Sequence, residues 1–151
     1  MARAASPPRE LSAGRFQPLL ADPLAAAAPA AVRRVVLCSG KLYYELLEQR
    51  ERRFAGSAPV ALLRVEQLYP WPGLAIARAV EAFPAVDRVV WAQEEPANMG
   101  AWSFARERLH DVLRADQVLA YAGRSESASP AAGSLRIHRQ EQAALIDAAL
   151  S

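Results

Sequence analysis

With 151 residues, 52% of them hydrophobic, and no apolar run near the roughly 20 residues of a membrane helix, the chain reads as one domain with a single core and no membrane span. One Cys excludes an internal disulfide and a multi-cysteine metal site, and the two His show no ligand spacing. The net charge of +2 comes from 17 Arg and one Lys interspersed with acids, not from the one-sided basic face of a nucleic-acid binder.

Residues 1–10 carry Arg and Pro but no apolar signal-peptide core, so they read as a disordered tip on a cytoplasmic protein, with the folded domain over residues 11–151. Residues 11–20 hold a short extended piece around Phe16, which Pro18 confines to a sheet edge. Residues 22–31 read as an Ala/Pro linker without periodicity. Residues 34–40 are a predicted strand, because Val35 to Cys38 form the unbroken apolar run of a strand covered on both faces. A helix follows over 41–54, with Leu42, Tyr43, Leu46 and Leu47 as its inward stripe and 48–53 as solvated charge.

A second strand spans 60–68 and ends in the aromatic corner Tyr69-Pro70-Trp71-Pro72. A helix over 73–83 turns Ile76, Ala77, Val80 and Phe83 inward. The third strand, 88–92, runs into Gln93-Glu94-Glu95-Pro96. A helix over 101–114 then puts Trp102, Ala105, Leu109 and Val112 on one side. A short strand over 118–122, a polar loop over 123–133 and a helix over 135–150 complete the chain, the last with Ile137, Ala144, Leu145 and Ala148 inward. Strands alternating with helices predict a doubly wound α/β domain whose largely parallel sheet is covered on both faces.

Three stretches carry chemistry. Ser39-Gly40-Lys41, at a strand end, is either a plain strand-to-helix turn or an anion site built on a helix N-terminus and the only Lys in the chain. It lacks the glycine spacing of a Walker loop or a dinucleotide fingerprint. Glu94 and Glu95 are adjacent on an extended chain, so they point to opposite faces and cannot share one substrate atom. That favours an interface over a general acid/base pair. Asn98 and Gly100 supply turn chemistry, with Asn98 alternatively capping the next helix. Trp71 and Trp102 either close the core or anchor a subunit contact. The loop from Arg124 to Ser129 offers one cation and several hydroxyls, as a phosphate would need or as a flexible loop would show. Cys38 reads as a small core residue, and no complete catalytic set or metal cluster appears.

Four motifs in this order and spacing carry a resemblance: residues 34–44 (RVVLCSGKLYY), 64–72 (RVEQLYPWP), 91–102 (WAQEEPANMGAW) and 121–133 (YAGRSESASPAAG). The chain resembles the carboxyl-terminal domain of the E1 component of 2-oxoglutarate dehydrogenase, a domain of the transketolase carboxyl-terminal type. The resemblance implies three α/β/α layers around a mixed five-stranded sheet of order 1-3-2-4-5, with strand 1, near Phe16, antiparallel to the rest. It also implies that the full-length enzyme decarboxylates 2-oxoglutarate on thiamin diphosphate and passes the succinyl group to the lipoyl arm of E2.

In such enzymes the cofactor and magnesium are held by two other domains at a dimer interface. This chain has no Gly-Asp-Gly segment of the kind that site uses, so by itself it is expected to be catalytically silent. The implied partners are the remaining E1 domains, a second E1 subunit and E2. Acetyl-CoA or AMP is an implied effector. On that basis Glu94, Glu95, Asn98, Gly100 and Trp102 become a docking rim, and Ser39, Gly40, Lys41, Arg64 and Arg124 become contacts for effector phosphates. The competing reading is a stand-alone nucleotide- or CoA-binding module on the same fold. A third is a hydrolase working through Glu94 or Glu95.

Overall fold

A computed structural model describes residues 12 and 14–151; the tip expected to be disordered, residues 1–10, lies outside them. The apolar run Val35 to Cys38 becomes β2 (Arg34–Cys38), the centre of a five-stranded sheet of order β1-β3-β2-β4-β5. β3 (Val60–Val65) and β4 (Arg88–Pro96) flank it in parallel, with Val36 opposite Leu62 on one side and Val90 on the other. β5 (Val118–Arg124) extends the sheet in parallel, and β1 (Leu19–Leu20) closes the far edge antiparallel to β3. Order and strand sense agree with those the family likeness implies.

Because successive side chains on a strand point to opposite faces, each central strand feeds two cores. Val35, Leu37, Leu63, Val89 and Trp91 pack with Ile76, Val80, Ala105 and Leu109; Val36, Cys38, Leu62, Val90 and Ala92 pack with Leu42, Leu46, Leu145 and Ala149. Hence α1 (Pro23–Ala26), α3 (Gly73–Glu81) and α4 (Trp102–His110) cover one face, and α2 (Leu42–Phe54) and α5 (Leu135–Leu150) the other, giving three layers. Among the described residues no helix is long and apolar enough to cross a membrane.

Several boundaries differ from expectation. The edge strand is Leu19–Leu20, while Phe16 lies outside it and is exposed. Pro18, which has no N–H, sits just before the strand and contributes its carbonyl alone, accepting from Glu66 N and Gln67 N. Residues 22–31 are no featureless linker. Asp22 caps α1 by accepting from the backbone N–H groups of Leu24 and Ala25, Pro23 takes the first helical position, and a 3₁₀ turn follows at Pro29–Ala31.

Asp22 also accepts from Leu62 N at 2.9 Å and forms an ion pair with Arg50, and both side chains are only 2% exposed. Arg50 further donates to Val60 O at 3.1 Å. The expected solvated run 48–53 is therefore interrupted, since Arg50 continues the buried stripe of Leu42 and Leu46, one turn beyond Leu46. β3 stops at Val65, short of residue 68, and β4 runs on to Pro96, so Gln93, Glu94 and Glu95 are strand residues. In α5 the inward stripe is Leu145, Ile146, Ala149 and Leu150; Ile137, Ala144 and Ala148 are exposed. The burial is confined to the second half of α5, where the helix lies on the sheet.

Cys38 is buried in the core, as expected, and burial pushes its thiol up to about 12. A thiol held neutral and out of solvent does not react. In the folded chain at pH 8, Cys38 should give no rapid reaction with Ellman's reagent. One equivalent should react after denaturation, and fast labelling of the folded protein would show that the strand end is open.

Candidate functional site

β2 has β3 on one side and β4 on the other, so the chain reverses its winding direction between β2 and β4. In such sheets the crevice lies outside the carboxyl ends of the strands at this switch point. Here Ser39-Gly40-Lys41 leaves β2, and the segment from Gln93 to Trp102 leaves β4. Gly40 makes the turn at φ 62°, a conformation that costs glycine little. Lys41 Nζ donates to Glu94 at 2.5 Å and to Glu45 at 3.1 Å, and Gln142 Nε2 from α5 donates to the other oxygen of Glu45 at 2.8 Å. Partial burial pulls the Lys41 ammonium down, but the bonds to Glu94 and Glu45 outweigh it and hold its pKa above the ordinary lysine value.

The two glutamates do face opposite ways. Glu94 pairs with Lys41 on the side of α2 and α5. Glu95 lies on the side of α3 and α4, where it lines a cleft of about 430 Å³ with Ser39, Leu68, Tyr69, Trp91, Gly100 and Phe104. Its carboxylate has no hydrogen bond or ion pair among the described residues.

Gln93, beneath them, is 5% exposed and organises the rim. Its Nε2 donates to Met99 O at 2.8 Å, Pro96 O at 3.1 Å and Glu95 O at 3.3 Å, and its Oε1 accepts from Trp91 Nε1 at 3.0 Å. Sequence reasoning took Gln93 only as the start of a polar stretch. The available signal was a lone amide continuing the inward alternation of Val89 and Trp91. Gly100 closes the turn at φ 63°, with a would-be Cβ 3.0 Å from both Gln93 and Glu95.

Asn98 does not cap α4, whose N-terminal cap is Ala101 with no side-chain bond. It pins the polar loop instead, donating to Ser127 O at 3.0 Å and accepting from Ser127 N at 3.1 Å. Both tryptophans close the core: Trp71 meets Phe104 edge-on at 5.9 Å, and Trp102 lies on Tyr121 at 5.1 Å, each packed against the buried cluster.

The cations expected to meet phosphates each sit among partners of their own. Arg64 stacks on Tyr43 and Tyr44 at 4.9 and 5.3 Å, donates to the Tyr44 hydroxyl at 2.7 Å and pairs with Glu66 at 2.6 Å. Arg124, two strands away from β2, donates to Glu141 at 2.8 Å and to Pro130 O at 2.9 Å beside a separate cavity of about 490 Å³ between β5 and α5. Lys41, Arg64 and Arg124 thus each carry a carboxylate partner.

The outer end of the site depends on Gly123. The register slips between Ala92 and Pro96 opposite β5, and the Tyr121 hydroxyl donates across this irregularity to Glu95 O at 3.0 Å and Arg124 O at 3.1 Å. A Cβ at Gly123 would stand 2.2 Å from that hydroxyl. Gly123→Ala should expel the Tyr121 ring and cost about 1–3 kcal/mol, as overpacking does. A fall in the urea midpoint at unchanged slope checks this, and an unchanged midpoint would show that the ring moves freely.

His110 and His138 are exposed on helix surfaces, and among the described residues no group of three or more His, Cys, Asp or Glu could hold a metal ion.

An open, doubly wound sheet with one antiparallel edge strand, three layers and a polar rim at its switch point defines an α/β/α domain of the transketolase carboxyl-terminal class. A family model described as 2-oxoglutarate dehydrogenase C-terminal matches residues 5–150. The chain is 40% identical over 147 residues, 97% of its length, to the 2-oxoglutarate dehydrogenase E1 component of Shouchella clausii. It is 43% identical over 142 residues, 94% of its length, to that of Haemophilus influenzae, and 50% identical over 125 residues, 80% of its length, to that of Brucella anthropi. The chain belongs to the 2-oxoglutarate dehydrogenase C-terminal family. It spans 16%, 15% and 12% of the length of these three relatives.

Proposed function

We propose that the chain serves as the carboxyl-terminal domain of a 2-oxoglutarate dehydrogenase E1, the oxidoreductase that decarboxylates 2-oxoglutarate on thiamin diphosphate and succinylates the lipoyl group of E2. Its own task is to dock on the remaining E1 domains and to support the E1 homodimer. The observation that carries this reading is the family match over residues 5–150. Glu94, Glu95, Asn98, Gly100 and Trp102 form the docking rim, a surface held in one shape by Gln93 before any partner arrives. Preorganisation of this kind lowers the ordering cost of association.

The effector reading extends the same proposal: acetyl-CoA or AMP would place phosphate near Ser39, Gly40 and Lys41, with Arg64 and Arg124 as outlying cations that must first release Glu66 and Glu141. No particular observation favours a stand-alone nucleotide or CoA module.

Mixing this chain with the E1 of Shouchella clausii lacking its own carboxyl-terminal domain tests the docking. A complex in sedimentation, with succinyl transfer raised on addition of the chain, is the expected result. No complex and unchanged transfer would remove the reading. Calorimetric titration of that complex with acetyl-CoA and with AMP tests the effector: heat that disappears in Lys41→Ala supports it, and silence in the wild type discards it.

A further inference from the structure

We propose that the cleft of about 430 Å³ beside Glu95 seats an arginine next to a large apolar side chain from a partner protein segment, with the Glu95 carboxylate as the counter-ion. This rests on the docking reading and specifies which part of the rim takes the anchoring contact.

Three observations lead to it. First, the adjacent glutamates differ in charge balance. Glu94 is paired with Lys41 at 2.5 Å, while the Glu95 carboxylate, on the lining of the cleft, has no ion-pair partner among the described residues. An anion is repelled there, which separates this site from any phosphate site at Lys41. Second, a hydroxyl able to accept stands on the same lining as the carboxylate. Ser39 makes no side-chain hydrogen bond among the described residues, and the Gln93 amide is committed to three carbonyls. A carboxylate with a hydroxyl nearby suits a group that only donates, and the five N–H groups of arginine make it the fullest donor set.

Third, the walls are aromatic. Trp91, Phe104, Tyr69 and Leu68 line the cleft, and Tyr69 is 83% exposed beside it. Guanidinium stacks on such faces, as Arg64 does on Tyr43 and Tyr44 in this same domain. A small ligand confined to the cleft would cover only part of the Tyr69 ring, which is 83% exposed. A chain segment covers the rest of it, and large aromatic anchors with Arg are what protein interfaces enrich. The cleft wall is fixed in advance, because the Glu95 carbonyl accepts from Tyr121 and from Gln93.

The experiment is a titration of the ¹⁵N-labelled 151-residue chain with the peptide acetyl-Gly-Phe-Arg-Gly-amide and, in parallel, acetyl-Gly-Phe-Glu-Gly-amide. The Phe-Arg peptide should shift the amides of Ser39, Glu95 and Phe104 and spare those of Glu141 and Leu145, with binding weakened by added salt. The Phe-Glu peptide should leave all of them in place. Glu95→Gln should weaken the Phe-Arg peptide about tenfold or more, the loss expected for one charge-assisted contact. Asp147→Asn, on the far helix, should bind as the wild type does. An unshifted remainder of the spectrum verifies that Glu95→Gln is folded.

The proposal is overturned by any of three results: no shift at those amides at millimolar peptide, an equal response to Phe-Glu, or wild-type affinity in Glu95→Gln. Docking itself is judged by complex formation with the truncated E1. A complex together with an indifferent peptide would therefore sink the arginine assignment and leave docking intact.

Discussion

Arg50→Ala should unfold at a temperature well below the wild type, losing about 3–5 kcal/mol, the usual cost of stranding one member of a buried ion pair. That is a large share of the roughly 5–15 kcal/mol that holds a domain together. Each kcal/mol moves the melting temperature by about 2–4 °C at this chain length. The cost is high because Asp22 has no other cation among the described residues, is only 2% exposed, and already accepts from Leu24, Ala25 and Leu62. Removing Arg50 leaves its charge uncompensated and takes the donor from Val60 O as well.

Asp22→Ala should cost as much, because it uncaps α1 and strands Arg50 in turn. The double variant Asp22→Leu/Arg50→Met separates the pair from its geometry. With both charges gone, much of the loss should return, since apolar replacement of a whole buried pair is often neutral. Thermal unfolding of the four proteins makes this comparison. A loss under about 1 kcal/mol in either single variant would mean that the pair is solvated, as surface pairs are.

The second large effect falls on the rim. Gln93→Leu keeps the volume and removes every polar contact of the amide. Trp91 Nε1 loses its acceptor and Met99 O its donor, while Pro96 O keeps the bond from Met99 N. Each buried polar group left unsatisfied costs about 1–3 kcal/mol, so a total of about 2–4 kcal/mol is expected with the rim partly open to water. Gln93→Glu should be no better, because a carboxylate offers acceptors to carbonyls that need donors. Under the docking reading both variants should bind the truncated E1 more weakly at temperatures where they are still folded. Asn98→Ala, which loses only exposed bonds, should stay within about 1 kcal/mol of the wild type. A folded Gln93→Leu chain that docks as tightly as the wild type would show that the rim needs no internal brace.

Much of this architecture was legible because β2, β3 and β4 are covered on both faces, so local hydrophobicity and burial coincide. The runs 35–38, 60–63 and 89–92 read directly as strands, and four motifs carried the family. The edge was harder. A strand of two residues has no period to detect, and Phe16, the largest apolar residue nearby, proved to lie outside it. The strand was expected to stop at residue 92 because Gln93, Glu94 and Glu95 are hydrophilic. The ladder continues there since Pro96 pairs with Arg124 across the irregularity, a decision made by β5 and not by the residues themselves.

From local order alone came the alternation that sends Glu94 and Glu95 to opposite faces, the turn at Gly40 and the core position of Cys38. Those follow from backbone geometry and side-chain chemistry, which act over a few residues. Tertiary structure alone decided which glutamate acquires a cation, because Lys41 lies 53 positions from Glu94. It likewise decided that Arg50, in the middle of a charged helical run, is buried, because its partner Asp22 is 28 positions away in what looked like a linker. Charges are matched by distance in space, and no local pattern carries that distance.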